Sequence, residues 1–180
     1  EGGFHTRTPA LMLSTVINAG VTTLVGLLGT DSYTKSVENL VSKTKALKNE
    51  GITAYCLTGA YVYPSVTLTG SVDKDIVYID EILGCKLAVS DHRCSHPTKE
   101  ELIRLVSDIR MASLIAGKPG VLHIHVGGVG NKLKDRREFQ LPISGRLIWT
   151  VISKKLWNLW RWEDGLILQQ SRIKLMNFMM

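Results

Sequence analysis

Gly84-Cys85-Lys86-Leu87-Ala88-Val89-Ser90 leads into Asp91-His92-Arg93, then into a helical pattern from Thr98 to Gly117, and then into Val121-Leu122-His123-Ile124-His125-Val126. This stretch decides the fold. Lys86 to Val89 reads as a short buried strand and Val121 to Val126 as another. Between them Thr98 stands as a helix N-cap, with Glu100 and Glu101 in the first turn where the helix dipole favours negative charge. Gly117 marks the helix end. Strand, helix and strand joined by short loops make a parallel βα unit. Lysine is almost never fully buried unless paired. Lys86 is therefore either on a misplaced strand or a functional group with an unusual charge state.

The same alternation runs upstream. Thr8-Pro9 reads as an N-cap and first helical residue of a helix reaching Asn18-Ala19 and stopping at Gly20. Val21 to Leu28 reads as a strand, Ser36 to Asn49 as a helix ending at Gly51, Ile52 to Leu57 as a strand, and Val72 to Ile82 as a helix. Polar and ionisable residues collect inside or just past the strand C-terminal ends: Thr30, Tyr61, Lys86, Arg93 and His125. Open doubly wound sheets and (β/α)8 barrels both build their sites there. No GxGxxG or P-loop is present, and Gly127-Gly128-Val129-Gly130 is only a loose glycine run. The fold class expected is α/β, a partial (β/α)8 TIM barrel of about four βα units. A complete barrel typically needs about 250 residues, and this chain has 180.

Composition is that of a globular chain with a real core, 44% hydrophobic and 21% charged. No apolar run is long enough for a membrane span, and no secretory signal is visible. Cys56, Cys85 and Cys94 are odd in number and lack CxxC spacing, which reads as reduced thiols in a cytoplasmic protein. The chain opens at Glu1 without an initiator Met, as a fragment or processed product would. The net charge of +6 is unevenly spread. Residues 1–130 hold 12 basic and 12 acidic residues, while residues 131–180 hold 10 basic and 4 acidic ones and all four Trp. The excess therefore belongs to the tail and is no general invitation to nucleic acid.

His123 and His125 form H-x-H on a strand, and residues two apart on a strand share a face. Both could reach one metal, or one could face a site while the other is a satisfied core histidine. A buried lysine has its pKa lowered toward the neutral amine. A neutral amine can take up CO2 as a carbamate, which is an anionic oxygen ligand for metal.

Several stretches in order resemble the isoaspartyl dipeptidases of the amidohydrolase superfamily. They are Glu1-Gly2-Gly3 with Thr6-Arg7-Thr8-Pro9, Ala19-Gly20-Val21-Thr22-Thr23, and Gly26-Leu27-Leu28-Gly29-Thr30-Asp31. Thr58-Gly59-Ala60-Tyr61, Leu68-Thr69-Gly70-Ser71-Val72, Ala88-Val89-Ser90-Asp91-His92-Arg93 and Gly117-Lys118-Pro119-Gly120-Val121 continue the likeness. It runs without obvious gaps from Glu1 to about Gly127. The resemblance implies a zinc hydrolase on a (β/α)8 barrel that releases aspartate from β-aspartyl dipeptides, and a protein that forms homo-oligomers. Carried over by position, Lys86 matches the carboxylated lysine bridging two zinc ions, and His125 matches a zinc ligand. Glu1 and Thr30 match groups that hold the substrate's α-amino end. Tyr61 matches the tyrosine that polarises the scissile carbonyl, and Arg93 the arginine that grips the α-carboxylate. Taken without the resemblance, Arg93 reads as half of an ion pair with Asp91, and Tyr61 as core.

The chain departs from the family in two places. The family's first metal-binding H-x-H should lie before Glu1. A further zinc-binding histidine and a catalytic aspartate should follow His125, yet no His follows it. Leu141-Pro142-Ile143-Ser144 still resembles the family and the likeness ends after Gly145. The domains expected are a partial barrel over 1–144 and a divergent basic, Trp-rich tail over 145–180. Glu163 to Gln170 can be encoded by codons that, read in a shifted frame, give a family-like strand. On this reading the chain is an incomplete and inactive form of the enzyme. Two alternatives stand beside it. One is a dihydroorotase-like hydrolase of cyclic amides. The other is a noncatalytic module using the basic tail, in which Trp149, Trp157 and Trp160 have partial helical spacing.

Overall fold

The computed structural model describes residues 4–7, 9–128, 148–152 and 173–174. A 3-10 turn at Phe4–Thr6 precedes α1 (Leu13–Asn18) and β1 (Thr23–Gly26). Then follow α2 (Val37–Asn49), β2 (Thr53–Gly59), α3 (Val72–Tyr78), β3 (Ile82–Val89), α4 (Lys99–Ala116) and β4 (Val121–Val126). Two further strands, β5 (Ile148–Ile152) and β6 (Ile173–Lys174), flank the sheet.

The helices form where caps and apolar spacing agree. Ser36 accepts the Asn39 backbone N–H at the start of α2, and Val37, Leu40, Val41, Thr44 and Leu47 make its buried stripe. Thr98 and Glu101 form a reciprocal capping box on α4. Leu102, Leu105, Val106, Ile109 and Ala112 bury its inner face, and Gly117 closes it in the left-handed conformation.

Several expected boundaries shift: β1 is confined to Thr23–Gly26 within the expected Val21 to Leu28, and β2 runs past Leu57 to Gly59. The first helix begins at Leu13, not at Pro9; Thr8 lies outside the described residues. The helix expected over Val72 to Ile82 stops at Tyr78, and β3 begins at Ile82, four residues before Lys86. The cause is tertiary. The Lys118 ammonium donates to the carbonyls of Ile76, Ile79 and Ile82, the last two at 2.6 and 3.2 Å. A cation there satisfies the orphan carbonyls of the α3 C-terminus and holds the chain as it turns into β3. Trp149 lies on β5 in register with Leu122, so no helix includes it. Trp157 and Trp160 fall outside the described residues.

All pairings are parallel and the sheet order is β5-β4-β3-β2-β1-β6. From β1 to β4 each strand lies beside its predecessor, so the order never reverses as it does in a doubly wound sheet. The four βα units make half of a (β/α)8 barrel. Cys56, Cys85, Leu87, Val89, Leu122, Ile124 and Val126 pack with α2, α3 and α4 into the main core. The alternate residues face the other way. Lys86 is in register with His123 and Ala88 with His125, so Lys86, His123 and His125 share the face turned away from the helices.

Candidate active site at the strand C-terminal edge

β3 delivers Lys86, β4 delivers His125, and the loops after β2 and β3 deliver Tyr61 and Arg93. The Tyr61 ring is the hub. Its centroid lies 4.8 Å from that of His125, 5.2 Å from the Lys86 ammonium and 5.4 Å from the Arg93 guanidinium carbon. Both cations are within cation–π range. Gly59 makes this approach feasible. Its φ of +78° is left-handed, and a Cβ there would sit 2.4 Å from the Lys86 carbonyl oxygen.

Lys86 is 1% exposed, and burial pulls its amine down to about 7. The charged form costs more than usual because water is excluded. Near neutral pH a substantial fraction is the nucleophilic free amine. His125 is held below the ordinary histidine range by burial first and by the Lys86 charge second. That shift favours the neutral ring, the form suited to metal or hydrogen-bond duty. His123 is buried too, and desolvation takes it down to about 3. Among the described residues its Nδ1 finds no hydrogen-bond partner.

Asp91 was legible in sequence only as a partner for Arg93. The structure gives it a larger place. It is 4% exposed and receives the Arg93 backbone N–H at 3.0 Å, Nε at 2.8 Å and Nη2 at 2.9 Å. Its Oδ2 also lies 3.1 Å from His125 Nε2. These bonds, the Arg93 side-chain pair foremost, hold its carboxyl well below the usual range. The backbone bends sharply to achieve this: Ser90 has φ +54°, uncommon for a residue with a side chain. Gly127 completes the fit, since a Cβ there would be 2.5 Å from both Asp91 Cα and the Ser90 carbonyl oxygen.

Of the residues singled out by sequence, Lys86, His125, Tyr61 and Arg93 converge. Thr30 lies on the loop after β1, half-buried, at the same edge of the sheet. Glu1 lies outside the described residues. Zinc takes three or four protein donors. Among the described residues no group of three or more His, Cys, Asp or Glu side chains is placed to hold an ion. Lys86 and His125 are two donors of suitable chemistry, Lys86 only once carboxylated, and so fit part of such a centre. Among the described residues no helix is long and apolar enough to cross a membrane.

A half-barrel whose ionisable residues gather where its strands end is the arrangement of a (β/α)8 enzyme. Over this segment the chain resembles β-aspartyl dipeptidases. It is 52% identical to the solved β-aspartyl dipeptidase of the thermophilic keratin degrader Fervidobacterium islandicum AW-1, with a TM-score of 0.70 over 72% of this chain and 35% of that one. A structure of that organism's β-aspartyl dipeptidase in complex with β-Asp-Leu dipeptide is 48% identical, with a TM-score of 0.74 over 83% of this chain and 41% of that one. The chain thus spans well under half the length of the proteins it matches. No protein-family model matches it.

Proposed function

We propose that this segment belongs to a zinc-dependent hydrolase of β-aspartyl dipeptides, supplying two metal donors and much of the substrate pocket. The observation that carries the reading is the convergence of Lys86, His125 and Arg93 on the Tyr61 ring, in a segment about half identical to β-aspartyl dipeptidases. Lys86, as a carbamate, and His125 would hold metal, with the remaining donors coming from elsewhere in the complete site. Bound zinc supplies hydroxide at neutral pH by lowering the pKa of water. The chain's own groups do the rest. Arg93, aimed by Asp91, receives the substrate's α-carboxylate, for which a guanidinium fork is well matched. The Tyr61 hydroxyl donates to the scissile carbonyl oxygen as negative charge develops on it. Thr30 and Glu1 take the α-amino end. A substrate charged at both ends is oriented by fixing both. Such a protein acts in the cytoplasm as a homo-oligomer on this reading.

The test is a graft. Residues 4–128 replace the matching segment of the Fervidobacterium islandicum enzyme, and aspartate release from β-Asp-Leu is measured with zinc present. The expected result is hydrolysis that falls about 10²- to 10³-fold in Tyr61→Phe and is abolished in Lys86→Met. A folded graft that leaves β-Asp-Leu intact, or one that prefers a cyclic amide such as dihydroorotate, overturns the reading.

A further inference from the structure

An ionised carboxylate offers about four lone-pair sites; on Asp91 three receive Arg93 N–H groups and the fourth faces a ring nitrogen of His125. Oδ1 receives the Arg93 backbone N–H and Nε–H. Oδ2 receives Arg93 Nη2–H and faces His125 Nε2 at 3.1 Å. His92 Nδ1 stands farther off, at 3.5 Å from Oδ1. The carboxylate is buried, so an unmet site on it would be costly. The contact to His125 is a hydrogen bond only if Nε2 carries the proton, because an ionised carboxylate donates nothing.

We propose that Asp91 is a positioning residue that fixes His125 as the Nε2–H tautomer, so that Nδ1 is the ring's metal-donor atom, and that ties this ring to Arg93 through one carboxylate. The donor assignment rests on the reading of His125 as a metal ligand; the tautomer assignment does not. Metal-bound histidines commonly donate their other N–H to a carboxylate, which sets the tautomer and the ring orientation. What is particular to this chain is the shared partner. The carboxylate whose Oδ2 faces His125 also holds one edge of the guanidinium through both of its oxygens. The group reading the substrate's charge and the group holding metal are thereby locked in one geometry. The neighbouring backbone is shaped for it, with Ser90 left-handed and Gly127 lacking the Cβ that would strike Asp91.

Long-range proton–nitrogen NMR on the full 180-residue chain, labelled at histidine and metal-free, tests this at pH 7.5. His125 is assigned from the signal lost in His125→Gln. The wild-type ring is expected as Nε2–H. In the isosteric Asp91→Asn, the Arg93 backbone N–H and Nε–H keep an amide oxygen at the Oδ1 position, and the NH2 that replaces Oδ2 faces His125 as well as Nη2, so the ring is expected to flip to Nδ1–H. A wild-type ring that is Nδ1–H or a mixture, or one unchanged in a folded Asp91→Asn, overturns the proposal without any need for metal. Zinc alone is then titrated. Perturbation centred on Nδ1, with affinity about 10- to 100-fold weaker in Asp91→Asn, is the expected result. Zinc held through Nε2 refutes the donor assignment while leaving the metal reading standing. A ring fixed as Nε2–H but blind to zinc refutes the metal reading while leaving the tautomer assignment standing.

Discussion

Replacing Lys86 by Met should stabilise the metal-free chain, and the gain should depend on pH. Met keeps the length and apolar body of the side chain and removes the amine. Folding brings that amine from the ordinary lysine value of 10.5 to about 7. At 1.36 kcal/mol per pKa unit, this sets a ceiling of about 5 kcal/mol on the penalty for keeping it charged in the fold. The sign follows from proton counting. Between pH 7 and 10.5 the unfolded chain binds a proton that the folded chain lacks, so wild-type stability rises with pH. The penalty is complete below pH 7, shrinks by about 1.36 kcal/mol per pH unit above it, and is gone above 10.5. Cys56 and Cys85, which burial pushes up to about 12, stay protonated in both folded proteins up to pH 10.5, and so drop out of the difference. The assay is urea unfolding followed by far-UV circular dichroism at intervals from pH 6 to 10.5. A chelator and CO2-depleted buffers keep Lys86 an amine. Lys86→Met should exceed wild type by several kcal/mol at pH 6 and converge with it near pH 10.5. A difference that stays flat across this range, or a wild type that is the more stable at pH 6, would refute the assignment of a desolvated amine.

Other expectations follow from single contacts. Lys118→Met should cost about 1.5–3 kcal/mol in urea unfolding, because a charged donor to three carbonyls at the α3–β3 turn is lost; an unchanged midpoint would show that the clamp contributes nothing. Gly127→Ala should cost about 1–3 kcal/mol through forced overlap with Ser90 and Asp91. It should also loosen the His125 tautomer in the same NMR spectrum, so a variant with wild-type stability and spectrum would refute the packing argument. The 180-residue chain supplied with zinc should release no aspartate from β-Asp-Leu, since its described residues offer only part of a metal site; measurable zinc-dependent release would show the donor set to be larger than reasoned.

Local chemistry made much of this legible from residues alone. Val121 to Val126 is a strand with the bounds its β-branched alternation gave, and Thr98, Glu101 and Gly117 delimit α4 as capping physics requires. The anomaly of Lys86 in an apolar run pointed to the site before any coordinates did. Asp91 was harder to read. In sequence it is one polar residue in a polar turn, and its burial depends on Ser90 turning left-handed and on a glycine 36 positions away. The break between α3 and β3 was equally hidden. Ile76-Val77-Tyr78-Ile79 is a short apolar run in which helix and strand periods are indistinguishable. The Lys118 ammonium, arriving from beyond α4, decides where the helix stops.

The sequence by itself determined that helices and strands alternate as parallel βα units, and which residue types could carry chemistry. These follow from near-neighbour rules: caps, periodicity and the cost of burying a charge. Only the tertiary structure decided that the strands run in unbroken order as half a barrel. It alone put Lys86 beside His123, on the face that His123 shares with His125, and bound His125 and Arg93 to a single carboxylate. Those outcomes depend on the register of β3 against β4 and on close backbone approaches at Gly59 and Gly127. Such contacts join residues far apart in the chain, and no local rule encodes them.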